Sequence, residues 1–128
     1  MSTKSKGSQY EREVMRILEA DGWQTERAHP KYIPVGPGKI ISKAHDFFGA
    51  WDVIGKKAGY KTMWVQVSTL SHVSAKRSQV IGFPWTPEHD EPCIFARIDG
   101  RNRHYRVYYA KDGYKWTGRT EKILEAAK

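Results

Sequence analysis

Hydrophobic and polar positions follow two different periods along the chain, and each change of period marks a predicted element. Residues 8–21 carry apolar side chains three and four positions apart, which is typical of an amphipathic helix. Ser8, with Glu11 three positions later, predicts a capping box at the start of this helix, and Gly22 is expected to end it. Residues 23–28 alternate as a β-strand does.

The remaining segments predict one long loop and further regular elements. Residues 29–45 contain three prolines and two glycines, a composition that predicts a loop. After it, the pattern predicts a hairpin, a short helix, a second hairpin and a closing helix: 51–55 with 63–69, 72–82, 93–99 with 104–111, and 120–128. The element order α-β-β-β-α-β-β-α predicts an α/β fold with a single mixed β-sheet flanked by helices.

Composition adds a class of partner to this picture. The 128 residues fit one domain, 1–128, in which residues 1–6 are expected to be a mobile basic lead-in. Lysine and arginine total 22 against 14 acidic residues, so the net charge is +8. This excess predicts an anionic partner, with nucleic acid favoured over an anionic membrane surface. Composition excludes a coiled coil, a collagen-like fibre and a disulfide scaffold.

Cysteine usage and the amino terminus indicate the compartment. The single cysteine, Cys93, cannot form an internal disulfide bridge or a cysteine-based zinc site, and it favours a reducing environment. The first ten residues are polar and basic and lack the apolar core of a secretory signal, and no apolar run is long enough to span a membrane. We therefore expect a cytoplasmic protein without a membrane partner, associated with the nucleoid or belonging to a virus in its host cytoplasm.

The first predicted helix turns one carboxylate toward the domain interior. At about 100° per residue its apolar side chains form one arc, and Glu11 falls inside that arc between Leu18 and Met15. The other charged residues of the helix fall outside the arc: Arg12, Glu13, Arg16 and Glu19. Because an isolated buried charge is costly, Glu11 is expected to be paired, protonated or bound to a cation. A role in the capping box and a role as a metal or catalytic carboxylate both remain open.

Two predicted strands bring further polar side chains together. In the strand WVQVST, alternate side chains share a face, so Gln66 and Ser68 are neighbours roughly 7 Å apart. Asp52 lies at the start of the strand that is expected to pair with it. Oxygen atoms are the ligands that Mg²⁺ prefers, and Asp52, Gln66 and the Val67 carbonyl could supply them, with Glu11 close by. Taken alone, Asp52 is also typical of a turn or cap, and Gln66 of a partly exposed strand.

These residues resemble the archaeal-type Holliday junction resolvases, which belong to the restriction-endonuclease-like nucleases with the PD-(D/E)xK signature. The resemblance extends over roughly residues 6–80. It is most specific in the first block, where the Lys6-Gly7 step, the run Glu11-Arg12-Glu13 and Gly22 agree in type and spacing. It continues more loosely through Arg27, WDVIG and WVQVS.

The resemblance implies roles for five residues. Glu11 corresponds to the metal-site glutamate of the first helix, Arg27 to a phosphate-contacting arginine and Asp52 to the signature aspartate. Gln66 and Ser68 stand at the glutamate and the lysine of the Glu-x-Lys motif. The family also implies a restriction-endonuclease-like fold, Mg²⁺ or Mn²⁺ as cofactor, a homodimer, and work in DNA recombination and repair.

The sequence departs from this pattern at the last two positions. Gln66 keeps an oxygen ligand but removes a charge, and Ser68 removes the cation that would orient the attacking water. Lys76 or Arg77, on the next predicted helix, could replace that cation. Asp46 could restore the lost negative charge as a metal ligand, or it could simply order its loop.

Cations and aromatic residues mark a surface for DNA. Those expected to contact phosphates are Lys4, Lys6, Arg12, Arg27, Lys31, Lys39, Lys43 and Arg77. The aromatic residues of the last third are expected to pack the sheet or a dimer interface rather than stack on bases. His72 is interpreted as a surface or core histidine, with proton transfer at the site as the alternative.

Three hypotheses follow. The leading one is a Mg²⁺-dependent, structure-selective endodeoxyribonuclease in which Glu11, Asp52, Gln66, Ser68 and Lys76 act on a four-way junction. The second is a related nuclease that cuts flaps, duplexes or other branched DNA. The third is a DNA-binding module of the same fold without catalysis, and the change at Ser68 keeps it open.

Overall fold

Two α-helices and eight β-strands make up the computed structural model. It describes residues 3–28, 31–36, 39–43, 47–100, 103–116 and 124–126. Helix α1 spans Thr3–Ala20 and helix α2 spans Val73–Val80, which follows a 3₁₀ turn at Leu70–His72. Gly22 has a φ of 93°, a left-handed conformation that glycine adopts without strain, so α1 ends where the sequence predicts.

A six-stranded sheet in the order β1-β4-β5-β6-β7-β8 forms the centre of the molecule, and β2 and β3 form a separate two-stranded sheet. The strands are β1 Gln24–Arg27, β2 Lys31–Gly36, β3 Lys39–Lys43, β4 Val53–Lys56, β5 Thr62–Thr69, β6 Asp90–Arg97, β7 His104–Tyr109 and β8 Leu124–Glu125. All neighbours in the large sheet are antiparallel except β5 and β6, which are parallel. Helix α2 provides the crossover that a parallel pair needs.

Each face of this sheet is covered by one helix. On one face, Val14 and Leu18 of α1 share a core with Val53 and Val65. On the other face, Val73 and Val80 of α2 share a second core with buried residues of the sheet and of the segment before β4, namely Trp51, Ile94 and Tyr108. The predicted α/β fold, with a mixed sheet flanked by helices, is therefore confirmed, and the β2–β3 hairpin adds a separate small sheet.

The predicted first helix begins at the wrong residue. Helix α1 begins at Thr3, so residues 3–6 are helical rather than an irregular lead-in, and Ser8 lies inside the helix rather than at its cap. Gly7 costs a helix interior roughly 1 kcal/mol, which an 18-residue helix packed on a sheet can absorb.

Two further predicted elements are also wrong. The predicted loop 29–45 contains the β2–β3 hairpin, and its proline and glycine lie at a register shift between Pro34 and Gly36, where a strand tolerates both residue types. The predicted helix 120–128 contains strand β8 instead, because Leu124 pairs with Tyr105 at the sheet edge. Long-range pairing here outweighs local helix propensity.

Candidate functional site

Asp52 is held rigidly just before β4. Its side chain is buried, and its Oδ2 accepts a hydrogen bond from the Val67 N–H at 2.9 Å. Its own N–H donates to the Val65 carbonyl at 2.8 Å, and its carbonyl accepts from the Ala28 N–H at 2.9 Å. The carboxylate thus completes the hydrogen bonding of β5 beyond the last β4–β5 pair, Val53↔Val65. These contacts agree with the alternative that Asp52 is a turn or cap residue. They also fix its carboxylate beside β5.

Gln66, on β5, leaves one polar atom without a partner. The residue is 1% exposed, and its Nε2 donates to the Ala50 carbonyl at 2.7 Å. Its Oε1 is buried and has no hydrogen-bond partner within the described part of the chain. A buried acceptor left unsatisfied costs about 1–3 kcal/mol. Gln66 is therefore not the partly exposed strand residue that the sequence offered as an alternative. Its side-chain carbonyl keeps its capacity to accept a hydrogen bond or bind a cation.

Ser68 is two positions further along the same face of β5. It is buried, and its hydroxyl donates to the Thr69 carbonyl at 2.9 Å. Because side chains alternate along a strand, Gln66 and Ser68 share one face of β5 with Trp64, as predicted. Trp64 packs against the core on the α2 side, so this face is the one that α2 covers. Because the Ser68 hydroxyl already donates, it offers only its lone pairs to a further partner.

Helix α2 places two cations over this face. Lys76 and Arg77 are half-buried and lie on the same side of the helix as the buried Val73 and Val80. The Nε of Arg77 is buried without an acceptor among the described residues. Lys76 and Arg77 thus lie on the side of α2 that packs against the sheet, on the face that carries Trp64 and Gln66.

Glu11 lies on α1, which covers the opposite face of the sheet. It is half-buried, and its Oε1 is 3.8 Å from Arg27 Nε. Arg27 Nη1 also donates to Ser8 Oγ at 2.7 Å, so Ser8 binds an arginine instead of capping the helix. Of the three states expected for Glu11 (paired, protonated or bound to a cation), the structure shows pairing with Arg27. Arg27, which was expected to contact phosphate, makes these contacts inside the protein.

The most buried acid of α1 is Glu13, which the helical wheel places outside the apolar arc. Glu13 is 4% exposed, its Oε1 accepts from the Tyr105 hydroxyl at 2.7 Å, and that oxygen is 3.5 Å from Arg97 Nε. Burial, followed by this hydrogen bond, raises the pKa of Tyr105 well above its usual value. The only sequence signal was the position of Glu13 beside Ile17 at the edge of the arc. Its partners come from β6 and β7, far along the chain.

The predicted metal ligands form a partial set. In the described ranges, no group of three or more Asp, Glu, His or Cys side chains could hold a metal ion, and Asp46 lies outside those ranges. Asp52 supplies a carboxylate near β5, and Gln66 supplies a buried carbonyl that no other described residue binds. This donor set fits Mg²⁺, which binds proteins through one or two carboxylates and keeps several waters.

The other predicted DNA-binding residues are spread over two elements. Arg12 is exposed on α1, whose first turns also contain Lys4 and Lys6. Three lysines lie on the β2–β3 hairpin, where Lys31 is paired with Lys43, and Lys39 is paired with Gly36 at the other end.

His72 and the last aromatic residues agree with their structural interpretations. His72 is exposed, and its Nδ1 is 2.8 Å from Thr69 Oγ1, as suits a surface histidine. Tyr105, Tyr108 and Tyr114 are buried and pack the sheet as predicted. No helix among the described residues is long and apolar enough to cross a membrane.

Comparison with known proteins gives one similarity. No family model matches the chain, and no curated protein matches it. Among solved structures, the chain is similar to Hjc from Archaeoglobus fulgidus, a Holliday junction resolvase from an archaeal hyperthermophile. The two are 14% identical, the match covers 93% of this chain and 86% of that chain, and the TM-score is 0.46. Hjc is of the kind that the sequence resembles, but at this TM-score the function must be argued from the site itself.

Proposed function

We propose that this chain is a Mg²⁺-dependent, structure-selective endodeoxyribonuclease that hydrolyses phosphodiesters at four-way DNA junctions. The observation that carries the proposal is the buried Gln66 Oε1, which lacks a partner among the described residues. It belongs to the strand whose Val67 N–H binds the Asp52 carboxylate. An unsatisfied acceptor on a strand that also binds a carboxylate supports the proposal, because a hard cation takes oxygen ligands of both kinds.

Asp52 and Gln66 would hold the ion, with Asp46 as a further acid; Glu11 lies on the helix over the opposite sheet face and pairs with Arg27. When bound, Mg²⁺ lowers the pKa of a water and neutralises charge on the leaving oxygen. Asp52 keeps its position because the Val67 N–H binds one of its oxygens. Lys76 or Arg77, on the inner side of α2, supplies the positive charge that the serine at position 68 lacks.

The proposal includes a symmetric dimer in the cytoplasm. Resolution of a four-way junction requires two matched cuts, and a two-fold homodimer presents two equivalent sites to the two strands. The exposed Arg12 and the lysines of the β2–β3 hairpin are proposed to contact the DNA backbone.

A second candidate is a DNA-binding module without catalysis. It is favoured by Ser68, whose hydroxyl donates to the Thr69 carbonyl instead of providing a cation. It is also favoured by Asp52, whose contact with the Val67 N–H gives that carboxylate a structural role.

One assay separates these candidates. A labelled four-way junction, a flap and a linear duplex are each incubated with the protein in Mg²⁺ or in EDTA. Paired cuts across the junction in Mg²⁺ alone support the proposal, whereas preference for the flap or duplex indicates a related nuclease. Binding of the junction without metal-dependent cutting indicates the non-catalytic module.

Asp52→Asn tests the site within the same assay. Asparagine retains an oxygen for the Val67 N–H but removes the charge, so the variant should fold and bind the junction normally. Cutting should fall at least about a hundredfold, the scale of losing a catalytic electrostatic group. Asp99→Asn, at an exposed position, is the matched control and should cut as the wild type does. Normal cutting by Asp52→Asn would show that Asp52 does not belong to the catalytic site.

A further inference from the structure

Three arginines surround an open pocket between α1 and the start of β7. The pocket has a volume of about 250 Å³ and is lined by Gln9, Arg12, Glu13, Arg16 and Arg103. Arg12 and Arg16 are exposed and lie one turn apart on α1, where two like charges repel each other. Arg103 is the residue before β7. It lies 87 or more positions along the chain from the two arginines of α1, so the pocket joins distant parts of the sequence.

Arg103 has two unusual features. Its Nε is buried without an acceptor among the described residues, although the side chain as a whole is only half-buried. Its φ is 61°, in the left-handed region that residues other than glycine seldom adopt. The Ala126 N–H donates to its carbonyl at 3.0 Å and helps to hold this conformation. Unsatisfied donors and strained backbone both tend to occur where a protein binds a ligand.

Glu13 does not neutralise these arginines, although it lines the same pocket. One of its oxygens accepts from the Tyr105 hydroxyl and pairs with Arg97, and the other accepts from Gln9 Nε2 at 3.2 Å. The ion pairs between described residues use Arg27, Lys57, Arg97 and His104 as cations, and none of them uses Arg12, Arg16 or Arg103. The pocket therefore keeps an excess of positive charge that an external anion can balance.

We propose that this pocket binds a phosphate group of the nucleic-acid backbone. Arg103 contacts a phosphate oxygen through the guanidinium group of its half-buried side chain, and Arg12 and Arg16 add charge from the open side. Guanidinium groups suit phosphate because their N–H donors are arranged in a planar fork that two oxygens can accept. The proposal rests on the DNA-binding part of the proposed function and not on cutting.

The first test measures binding of a linear duplex in EDTA, where no cutting occurs. Arg103→Gln should weaken binding about three- to tenfold and reduce the slope of log affinity against log salt by about 0.9, the contribution of one phosphate contact. Lys115→Gln removes the same charge from an exposed position outside the pocket and should change affinity less than twofold. Arg103→Lys, which keeps the charge but loses the fork, should fall between the wild type and Arg103→Gln. Equal effects of Arg103→Gln and Lys115→Gln would contradict the proposal.

The second test observes the arginine directly by nuclear magnetic resonance. The Nε–H signal of Arg103, assigned by its absence in Arg103→Gln, should shift when the duplex or millimolar inorganic phosphate is added. If DNA binds but the signal does not move, the pocket is not the phosphate site. If phosphate moves the signal but the wild type binds no DNA, nucleic acid is the wrong ligand and the proposed function fails. If neither ligand moves it, the anion site itself is wrong.

Discussion

Gln66 can be tested at the scale of one residue because only one end of its amide is used. Its Nε2 donates to the Ala50 carbonyl, whereas its Oε1 is buried without a partner among the described residues. Glutamate at this position would replace the Nε2 donor by an oxygen, which cannot donate to the Ala50 carbonyl. It would also bury a negative charge. A cation at the proposed site would compensate that charge, so the same substitution should depend strongly on Mg²⁺.

We expect Gln66→Glu to lower the free energy of unfolding by about 2–3 kcal/mol in EDTA. Millimolar Mg²⁺ should restore at least about 1 kcal/mol of this loss, because binding to the folded state alone stabilises it. Urea unfolding with and without Mg²⁺ provides the measurement. Gln79→Glu is the matched control, because Gln79 also donates to a backbone carbonyl, that of Gly49 at 3.2 Å, but is exposed. Equal destabilisation of Gln66→Glu in Mg²⁺ and EDTA would show that no cation binds there.

The same scale explains which site residues the sequence could predict. Gln66 and Ser68 were predicted as neighbours because strand alternation is a local property. The burial of Glu13 was not predicted, because Tyr105 and Arg97 lie more than 80 positions away along the chain. The Arg103 pocket was missed for the same reason, since a helical wheel contains no residue from another element.

At the scale of elements, the hydrophobic pattern predicted the first helix and the central strands. Helix α1 has a regular apolar stripe, and α1, the β4–β5 pair and the β6–β7 pair were predicted within a few residues, apart from the start of α1; helix α2 was also predicted, although only Val73 and Val80 of its residues are buried. The β2–β3 hairpin was missed because its prolines and glycines are also typical of loops. Strand β8 was missed because it consists of two residues whose pairing with β7 depends on the whole sheet.

The turn that leads from α2 into β6 depends on Asp90. Asp90 Oδ2 accepts from the Thr86 N–H at 3.0 Å, and Oδ1 accepts from Trp64 Nε1 at 3.0 Å. The hydrogen bond from Thr86 is the main cause that lowers the pKa of Asp90 below its ordinary value of 3.8, and burial partly opposes it. A carboxyl group whose pKa is lower in the folded state stabilises the protein above its unfolded pKa. That contribution is lost as the pH falls through the folded pKa.

We therefore expect Asp90→Asn to be less stable than the wild type at pH 6, with a difference that shrinks below a pH of about 3.8. Urea unfolding of both proteins at several pH values from 6 to below 3.8 provides the measurement. Asp99→Asn, which removes the charge of an exposed aspartate, is the control for the loss of one carboxylate. A difference between wild type and Asp90→Asn that stays constant with pH would mean that ionisation of Asp90 does not stabilise the turn.

At the scale of the whole molecule, charge and burial separate into two zones. The chain has a net charge of +8, and the described acids with buried side chains are Glu13 and Asp52. Glu13 pairs with Arg97, whereas Asp52 binds the Val67 N–H of β5, the strand of the proposed cation site. Nucleic acid would meet a surface of arginines and lysines, and the ion would lie behind it near β5.

This separation predicts that DNA binding and metal binding respond to different conditions. In EDTA, log affinity of the wild type for a linear duplex should fall linearly with log salt. If the three pocket arginines each contact a phosphate, the slope should be about −3 or steeper. The double variant Arg12→Gln, Arg16→Gln should lose about 2 from that slope, and the double variant Lys111→Gln, Lys115→Gln, at exposed positions outside the pocket, should lose less than 1. Fluorescence anisotropy at salt concentrations from about 50 to 200 mM measures both slopes. An affinity that does not change over this range would mean that the +8 charge does not serve to bind a phosphate backbone.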